Sequence, residues 1–419
     1  MPPSNRSEVN RSEELACLKQ QIADIDKRFA ARYAVGPAPK QQNARWFIEQ
    51  WSAGEVVRNE FGEHFQTERL FPAHKRHGCA DIGGLAELPK DLLDAAGGGE
   101  IPPVPCERWA FLDTETTGLI GGSGTYAFLI GVGRIAREGF RVRQFFVREY
   151  IEEGSVLDAL VDHLREFEVL ITYNGKSYDQ PLLEKRYRLA HREPPFARLA
   201  HFDLLPSARR LWKLRLQDCR LTQLERRLLG LHREGDLPGE LIPYVYFEYL
   251  HSQEAQRLVP LFHHNAMDIL TLACLTAIVP AAFRSPDREG LAHAGVRRAE
   301  DLAGIARWLL SVGRRTEALE LFRCALSAGL PDAIVFRTLW DVARLEKKLG
   351  RANAAVSALT EIASCRNEYR SRALEELAKH YERQEKNYSL ALEFTSRALA
   401  CGSSTALLRR KTRLEKKNG

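Results

Sequence analysis

The sequence predicts an α/β domain with a mixed sheet in the middle of the chain, followed by an all-α solenoid. Three observations lead there. Between Trp109 and Leu205, three strand-like runs precede an alternation of helix and strand, the order of a mixed sheet with helices packed on it. Beyond about Leu291 only helical periodicity remains. Within that region Gly313-Arg-Arg-Thr-Glu-Ala318-Leu recurs as Gly350-Arg-Ala-Asn-Ala-Ala355-Val and, more loosely, as Lys386-Asn-Tyr-Ser-Leu-Ala391-Leu. The alanines are spaced close to the ~34 residues of a helix-pair repeat, and their small side chains let paired helices approach.

Composition narrows the class. A chain of 419 residues has room for two or three domains, and 44% hydrophobic with 28% charged residues describes a soluble globular protein. No stretch approaches the ~20 apolar residues of a membrane helix, and the start, Met-Pro-Pro-Ser-Asn-Arg-Ser-Glu, lacks the apolar core of a signal peptide. The eight cysteines are dispersed without a Cys-x-x-Cys pair, which argues against a zinc site or a disulfide framework and points to a reduced, cytoplasmic setting. A net charge of +6 suits an acidic partner.

Residues 1–105 are expected to form a poorly defined extension. Leu15, Leu18, Ile22, Ile25 and Phe29 predict one amphipathic helix over Ser12–Tyr33; Glu63–Arg76 is rich in His, Arg and Lys; and Gly97-Gly98-Gly99 with Pro102, Pro103 and Pro105 reads as a linker. The α/β domain follows over 106–285. Strands are expected at Trp109–Asp113, Thr125–Ile135 and Phe140–Tyr150, with Glu138-Gly139 as a turn. A helix over Ser155–Phe167, capped by Ser155, comes next, then a strand Val169–Tyr173, a helix Gln180–Leu189 and a strand His201–Leu205. Helical repeats fill 295–419.

Three acidic motifs stand on this frame. Asp113 and Glu115, two apart at the end of an apolar strand, point to one face, where like charges need a cation such as Mg²⁺ between them. Asp179 opens the helix after the Asn174-Gly175 turn. In His263-His264-Asn265-Ala266-Met267-Asp268, opening an apolar helix Ile269–Ile278, the histidines precede Asp268 by five and four residues, so at least one imidazole shares its face.

Asp-x-Glu on a first strand, Asn-x-x-x-Tyr-Asp after a later strand and His-x-x-x-(x)-Asp on a late helix resemble, in that order, the DEDD superfamily of 3'-5' exonucleases. More narrowly, Leu221-Thr-Gln-Leu-Glu-Arg-Arg-Leu-Leu-Gly230, Asp236-Leu-Pro-Gly-Glu-Leu-Ile-Pro243 and His264-Asn-Ala-Met-Asp268-Ile are similar to the YprB-type ribonuclease H-like family, and the C-terminal region resembles tetratricopeptide repeats. The resemblance implies a ribonuclease H-like fold in which Asp113, Glu115, Asp179 and Asp268 hold two divalent ions, Mg²⁺ or Mn²⁺. Asp113 would bridge them, Glu115 and Asp268 would complete the nucleophile-side ion, and Asp179 would act on the other. A histidine would orient or deprotonate the attacking water. His263 and His264 fill the two base positions of the superfamily, so both stay open.

Substrate strands are expected past Thr116, Thr117 and Gly118, whose backbone lets a terminal nucleotide approach, with Asn174 and Tyr178 against sugar or base. Arg209, Arg210, Lys213 and Arg215 around Trp212 combine charge with an aromatic face, as single-strand sites do, and His74–His77 would extend that surface. The expected partner is a single-stranded DNA or RNA end and the expected activity a metal-dependent 3'-5' exonuclease. Two alternatives stand beside it: a nucleic-acid-binding protein of the same fold without turnover, and an adaptor docking a protein partner in the concave face of its repeats.

Overall fold

The computed structural model describes residues 48–118, 124–233, 235–402 and 404–418, so the helix expected over Ser12–Tyr33 lies outside the described residues. Two compact units result. Of the described residues, one unit comprises those up to Ser207 with Arg220–Pro280, and the other Ala208–Cys219 with those from Ala281 onward.

The first unit is built on strands β1 (Glu55–Asn59), β2 (Gly62–Pro72), β5 (Trp109–Thr116), β6 (Ala127–Ala136), β7 (Gly139–Phe146), β8 (Val169–Thr172) and β9 (Ala200–Asp203), in the order β1-β2-β7-β6-β5-β8-β9. A small hairpin, β3 (Arg76–His77) with β4 (Ala80–Asp81), stands apart from them. β5 pairs antiparallel with β6 but parallel with β8, and β8 runs parallel to β9, so three strands present their carboxyl ends on one side. The inner strands read as near-continuous apolar runs because both faces are covered: all four residues of β8 and the first seven of β6 are buried.

The sheet begins well before Pro105. β1 and β2 extend it through β7, with Glu68 directly opposite Arg143 and its carboxylate also 2.7 Å from Arg141. The charges that look like a solvated segment are cross-strand pairs. The Gly/Pro stretch is likewise no free linker, since Ile101 and Val104 are buried after helix α1 (Leu92–Gly97). His77 is also buried, its Nε2 2.7 Å from Thr271 Oγ1, so it offers no surface to a strand.

Helices α2 (Glu153–Leu164), α3 (Asp179–Leu189), α4 (Leu204–Trp212), α5 (Leu221–Leu224), α6 (Ile242–Ser252) and α7 (Val259–Arg284) follow. Ser155 lies inside α2 and caps nothing; its hydroxyl meets His64 Nδ1 at 2.8 Å. α7 starts earlier than expected, with Pro260 in its first turn, where the missing N–H costs no helical bond. The His-Asn-Asp motif therefore lies within the helix. By length and composition this helix is apolar enough to cross a membrane, contrary to the sequence expectation, yet 72% of its most apolar window is buried in protein, as befits a core helix.

The second unit adds α8 (Arg288–His293), α9 (Ala299–Ser311), α10 (Arg315–Ser327), α11 (Asp332–Lys348), α12 (Ala352–Ser364), α13 (Arg370–Arg383), α14 (Tyr388–Cys401) and α15 (Thr405–Asn418). From α9 onward each helix packs on its chain neighbours. Ala318, Ala355 and Ala391 are all buried at these contacts. Gly313 and Gly350 take left-handed φ of 86° and 75° where their helix pairs turn, and Lys386 adopts φ 55° at the corresponding third position. The described cysteines form no disulfide.

Four histidines of the first unit are held neutral by burial, each pushed down to about 4: His64 and His163, where the Arg148 and Arg143 charges add to it, His77, where Glu225 opposes and Arg233 adds, and His201, where Lys176 adds. Above about pH 6.5 folded and unfolded chains both carry them neutral; below it the unfolded chain takes up protons that the folded one refuses. Each of these sites should therefore subtract stability as pH drops from about 6.5 towards 4, by roughly 3 kcal/mol at most. Urea unfolding across that range should show the wild type losing stability relative to His64→Gln. An acid limb identical in the variant would contradict this origin.

Candidate active site

The site begins where β5 runs out of apolar residues. Its pairing with β6 shifts register between Glu115 and Thr116, the kind of bulge that re-aims a side chain. Asp113 and Glu115 stand at this end of the strand. Opposite, Asn174 takes a left-handed φ of 69° in the turn after β8, and Gly175 is obligatory, because a Cβ there would lie 2.5 Å from the Thr172 side chain. Asp203, at the end of β9, grips that turn by accepting from the Asn174 and Lys176 amides at 2.8 and 3.2 Å. Asp179 follows as the first residue of α3. It is not a cap; Thr114 Oγ1 donates to its Oδ1 at 2.5 Å.

α7 completes the cluster through a close approach to β6. A Cβ on Gly131 would fall 2.2 Å from Asn265 Oδ1 and 2.3 Å from Ile269 Cδ1, and one on Gly133 2.5 Å from Ile269 Cγ2, so only glycine lets the helix lie this near. Asn265 is thereby oriented by a buried relay. Thr67 Oγ1 donates to Gln144 Oε1 at 3.1 Å, Gln144 Nε2 donates to Asn265 Oδ1 at 2.8 Å, and Asn265 Nδ2 donates to Asp113 Oδ2 at 2.9 Å. Because each amide's oxygen is already taken, its NH₂ must point onward.

The two histidines separate. His263 turns to Arg69, whose Nη1 is 2.9 Å from its Nδ1. His264 faces the carboxylates: Nδ1 lies 2.9 Å from Asp236 Oδ1 and Nε2 3.6 Å from Asp268 Oδ2. Arg233 adds a second cation, with Nη2 2.6 Å from Asp268 Oδ1, and it also pairs with Glu225 and, at 3.4 Å, Asp236. Thr271 donates to Glu225 at 2.5 Å.

The electrostatics follow from crowding. Burial, then the charges of Glu115, Asp268 and Asp179, hold Asp113 well above the usual carboxylate range, against the Asn265 hydrogen bond. Glu115 is pushed up to about 7 by burial, with His264 pulling it down and Asp268, Asp179 and Asp236 pushing it up. Asp179 rises to about 6, chiefly by burial, against the Thr114 hydrogen bond. Burial alone would lower His264, but its bond to Asp236 and the charges of Asp268 and Glu115 raise it to about 9. Four carboxylates thus feel one another within one buried volume.

Of the other residues expected to bind substrate, Thr116 Oγ1 donates to the Gly118 carbonyl at 3.1 Å, Thr117 exchanges hydrogen bonds with the Tyr126 backbone, and Tyr178 is 47% exposed beside Asp179. Arg209, Arg210 and Lys213 are exposed and belong to the second unit. Trp212 is buried and offers no face to a base; Arg210 lies over Trp308 and Arg215 pairs with Asp301 at 2.9 Å. Sequence reasoning assigned no role to Asn265, Asp236, Asp203, Gln144 or Arg233. Asn265 and Asp236 lie inside the motifs named above; Arg233 gave no signal that it reaches Asp268, 35 residues further on.

Residues 110–279 match a protein family described as the RNase_H superfamily, so the fold and its site define a ribonuclease H-like protein with nuclease-type, nucleic-acid-directed chemistry. Over 366 residues, 84% of this chain and 85% of the relative, it is 30% identical to the uncharacterized protein YprB of Bacillus subtilis (strain 168). The chain belongs to the YprB family.

Two substitutions check this construction. Gly131→Ala should lose about 1–3 kcal/mol of stability by forcing α7 off the sheet; an unchanged urea midpoint would mean the helix has slack. Arg233→Gln should cost about 3–5 kcal/mol, because it strands buried carboxylates, and a loss below about 1 kcal/mol would show these charges to be screened by water.

Proposed function

We propose that this protein is a metal-dependent exonuclease that hydrolyses phosphodiester bonds from the 3' end of DNA or RNA. One observation carries the reading: Asp113, Glu115, Asp179 and Asp268, from a strand and two helices, converge in one buried volume, where burial and neighbouring negative charge raise the proton affinity of Asp113, Glu115 and Asp179. The 3' polarity rests on the resemblance to the DEDD exonucleases.

The donor set suits hard divalent ions. It is all oxygen, and Asp268 Oδ1 is buried without a well-directed hydrogen bond although Arg233 Nη2 is 2.6 Å away. Among the described residues no three His, Cys, Asp or Glu side chains stand close enough to enclose an ion as they are, as mutually repelling carboxylates do before a cation draws them in. Two Mg²⁺ or Mn²⁺ ions on these carboxylates would clamp the scissile phosphate, activate a water and steady the leaving 3' oxygen. The chain's own residues supply the rest. Asn265 fixes Asp113, Thr114 fixes Asp179, and Asp236 fixes the His264 ring with Nε2 towards Asp268. His264, rather than His263, is therefore the histidine placed to orient the attacking water. Asn174 and Tyr178 flank the place of the terminal nucleotide. The helices from α9 on serve, in this reading, as tetratricopeptide-like repeats.

Nucleotide release from 3'- and 5'-labelled single strands of DNA and RNA tests the proposal. Shortening from the 3' end should require Mn²⁺ or Mg²⁺, stop in EDTA, and fall at least about a thousandfold in Asp113→Asn. His264→Gln should lose about 10²–10⁴-fold and His263→Gln far less. A strand that is bound but never shortened under any of these conditions would move the protein to a binding role.

A further inference from the structure

On α11, Arg337, Asp341 and Arg344 stand at i, i+4 and i+7, one stripe of the helix. Arg307 of α9 reaches the same stripe, its Nε 3.6 Å from Asp341 Oδ2 and its Nη2 donating to Thr338 Oγ1 at 3.4 Å. One aspartate thus answers three guanidinium groups. The shortfall is visible in the geometry: Arg307 Nε is buried without a hydrogen bond, and so is Nε of Arg370 at the start of α13. Arg337 and Arg344 are exposed. Beside them Trp340 and Tyr369 stack, centroids 6.0 Å apart at 30°, both half-buried, and Tyr369 lies within the field of Arg307.

The surrounding charge has the same sign. Residues 281–419 hold a larger excess of Lys and Arg over Asp and Glu than the +6 of the whole chain, which leaves the remainder net negative. A guanidinium fork matches the oxygens of a phosphate, and half-exposed aromatic planes stack on bases. We propose that this face of α9, α11 and the start of α13 binds single-stranded nucleic acid, with phosphates at Arg307, Arg337 and Arg344 and bases against Trp340 and Tyr369. The choice of a nucleic acid over another polyanion rests on the nuclease reading of the first unit; the surface itself does not.

The test uses the full chain carrying Asp113→Asn, in EDTA, with fluorescein-labelled oligothymidylate followed by anisotropy over a salt series. Adding Arg337→Ala with Arg344→Ala should weaken binding about tenfold and reduce the salt slope by about 1.4, two phosphate contacts at ~0.7 each. Trp340→Ala should weaken binding several-fold with the slope unchanged. Matching thermal unfolding curves establish that the exposed-arginine variant is folded. Undiminished affinity in that variant overturns the inference. So does displacement of the strand by poly-glutamate as readily as by unlabelled strand, which would assign the face to an acidic protein. Because cleavage is abolished throughout, loss of binding here and loss of shortening in the nuclease assay are independent results.

Discussion

The first unit depends on the contact between α7 and β6 at Gly131 and Gly133. There the helix backbone comes close enough for Asn265 to reach across to Asp113, and the next turn then carries Asp268 to the same carboxylate cluster. Any side chain at Gly131 would occupy the space of Asn265 itself. The glycines are thus a condition for the site rather than a local preference, and they explain why so apolar a helix is buried against the sheet.

Gathering four carboxylates in a buried volume is unfavourable, and the chain answers with two cations of its own. Arg233 and His264 divide Asp236 and Asp268 between them, while Asp113, Glu115 and Asp179 are left to raise their proton affinities. The arrangement is polarised: the two cations contact Asp236 and Asp268, whereas Asp113 and Asp179 are answered by the neutral donors Asn265 and Thr114 and Glu115 feels the charge of His264.

The sequence made part of this legible and not the rest, for physical reasons. Asp113 and Glu115 stood out because an apolar strand ends in acid, and β5 to β9 followed in the expected order because each is bounded by turn residues. β1 and β2 did not stand out, since Glu68, Arg141 and Arg143 satisfy one another across strands that sequence separates widely. The same blindness hid Gln144, whose partners Thr67 and Asn265 are distant in the chain, and the reach of Arg233 to Asp268 and of Asp203 to the Asn174 turn. Trp212 and Ser155 were assigned to solvent and to a cap because periodicity does not say which side of a helix meets another element; both are buried. In the second unit Lys386 kept the left-handed turn that Gly313 and Gly350 mark, so the repeat survived a substitution that weakened its signature.

The proposed function requires that Asp113, Glu115, Asp179 and Asp268 together form a divalent-cation site. Anomalous diffraction from crystals soaked in Mn²⁺ tests it without reference to turnover. Density is expected among Asp113, Glu115, Asp179 and Asp268, and it should disappear in Asp113→Asn. Carboxylates that bind no Mn²⁺, with Arg233 and His264 unmoved, would contradict it.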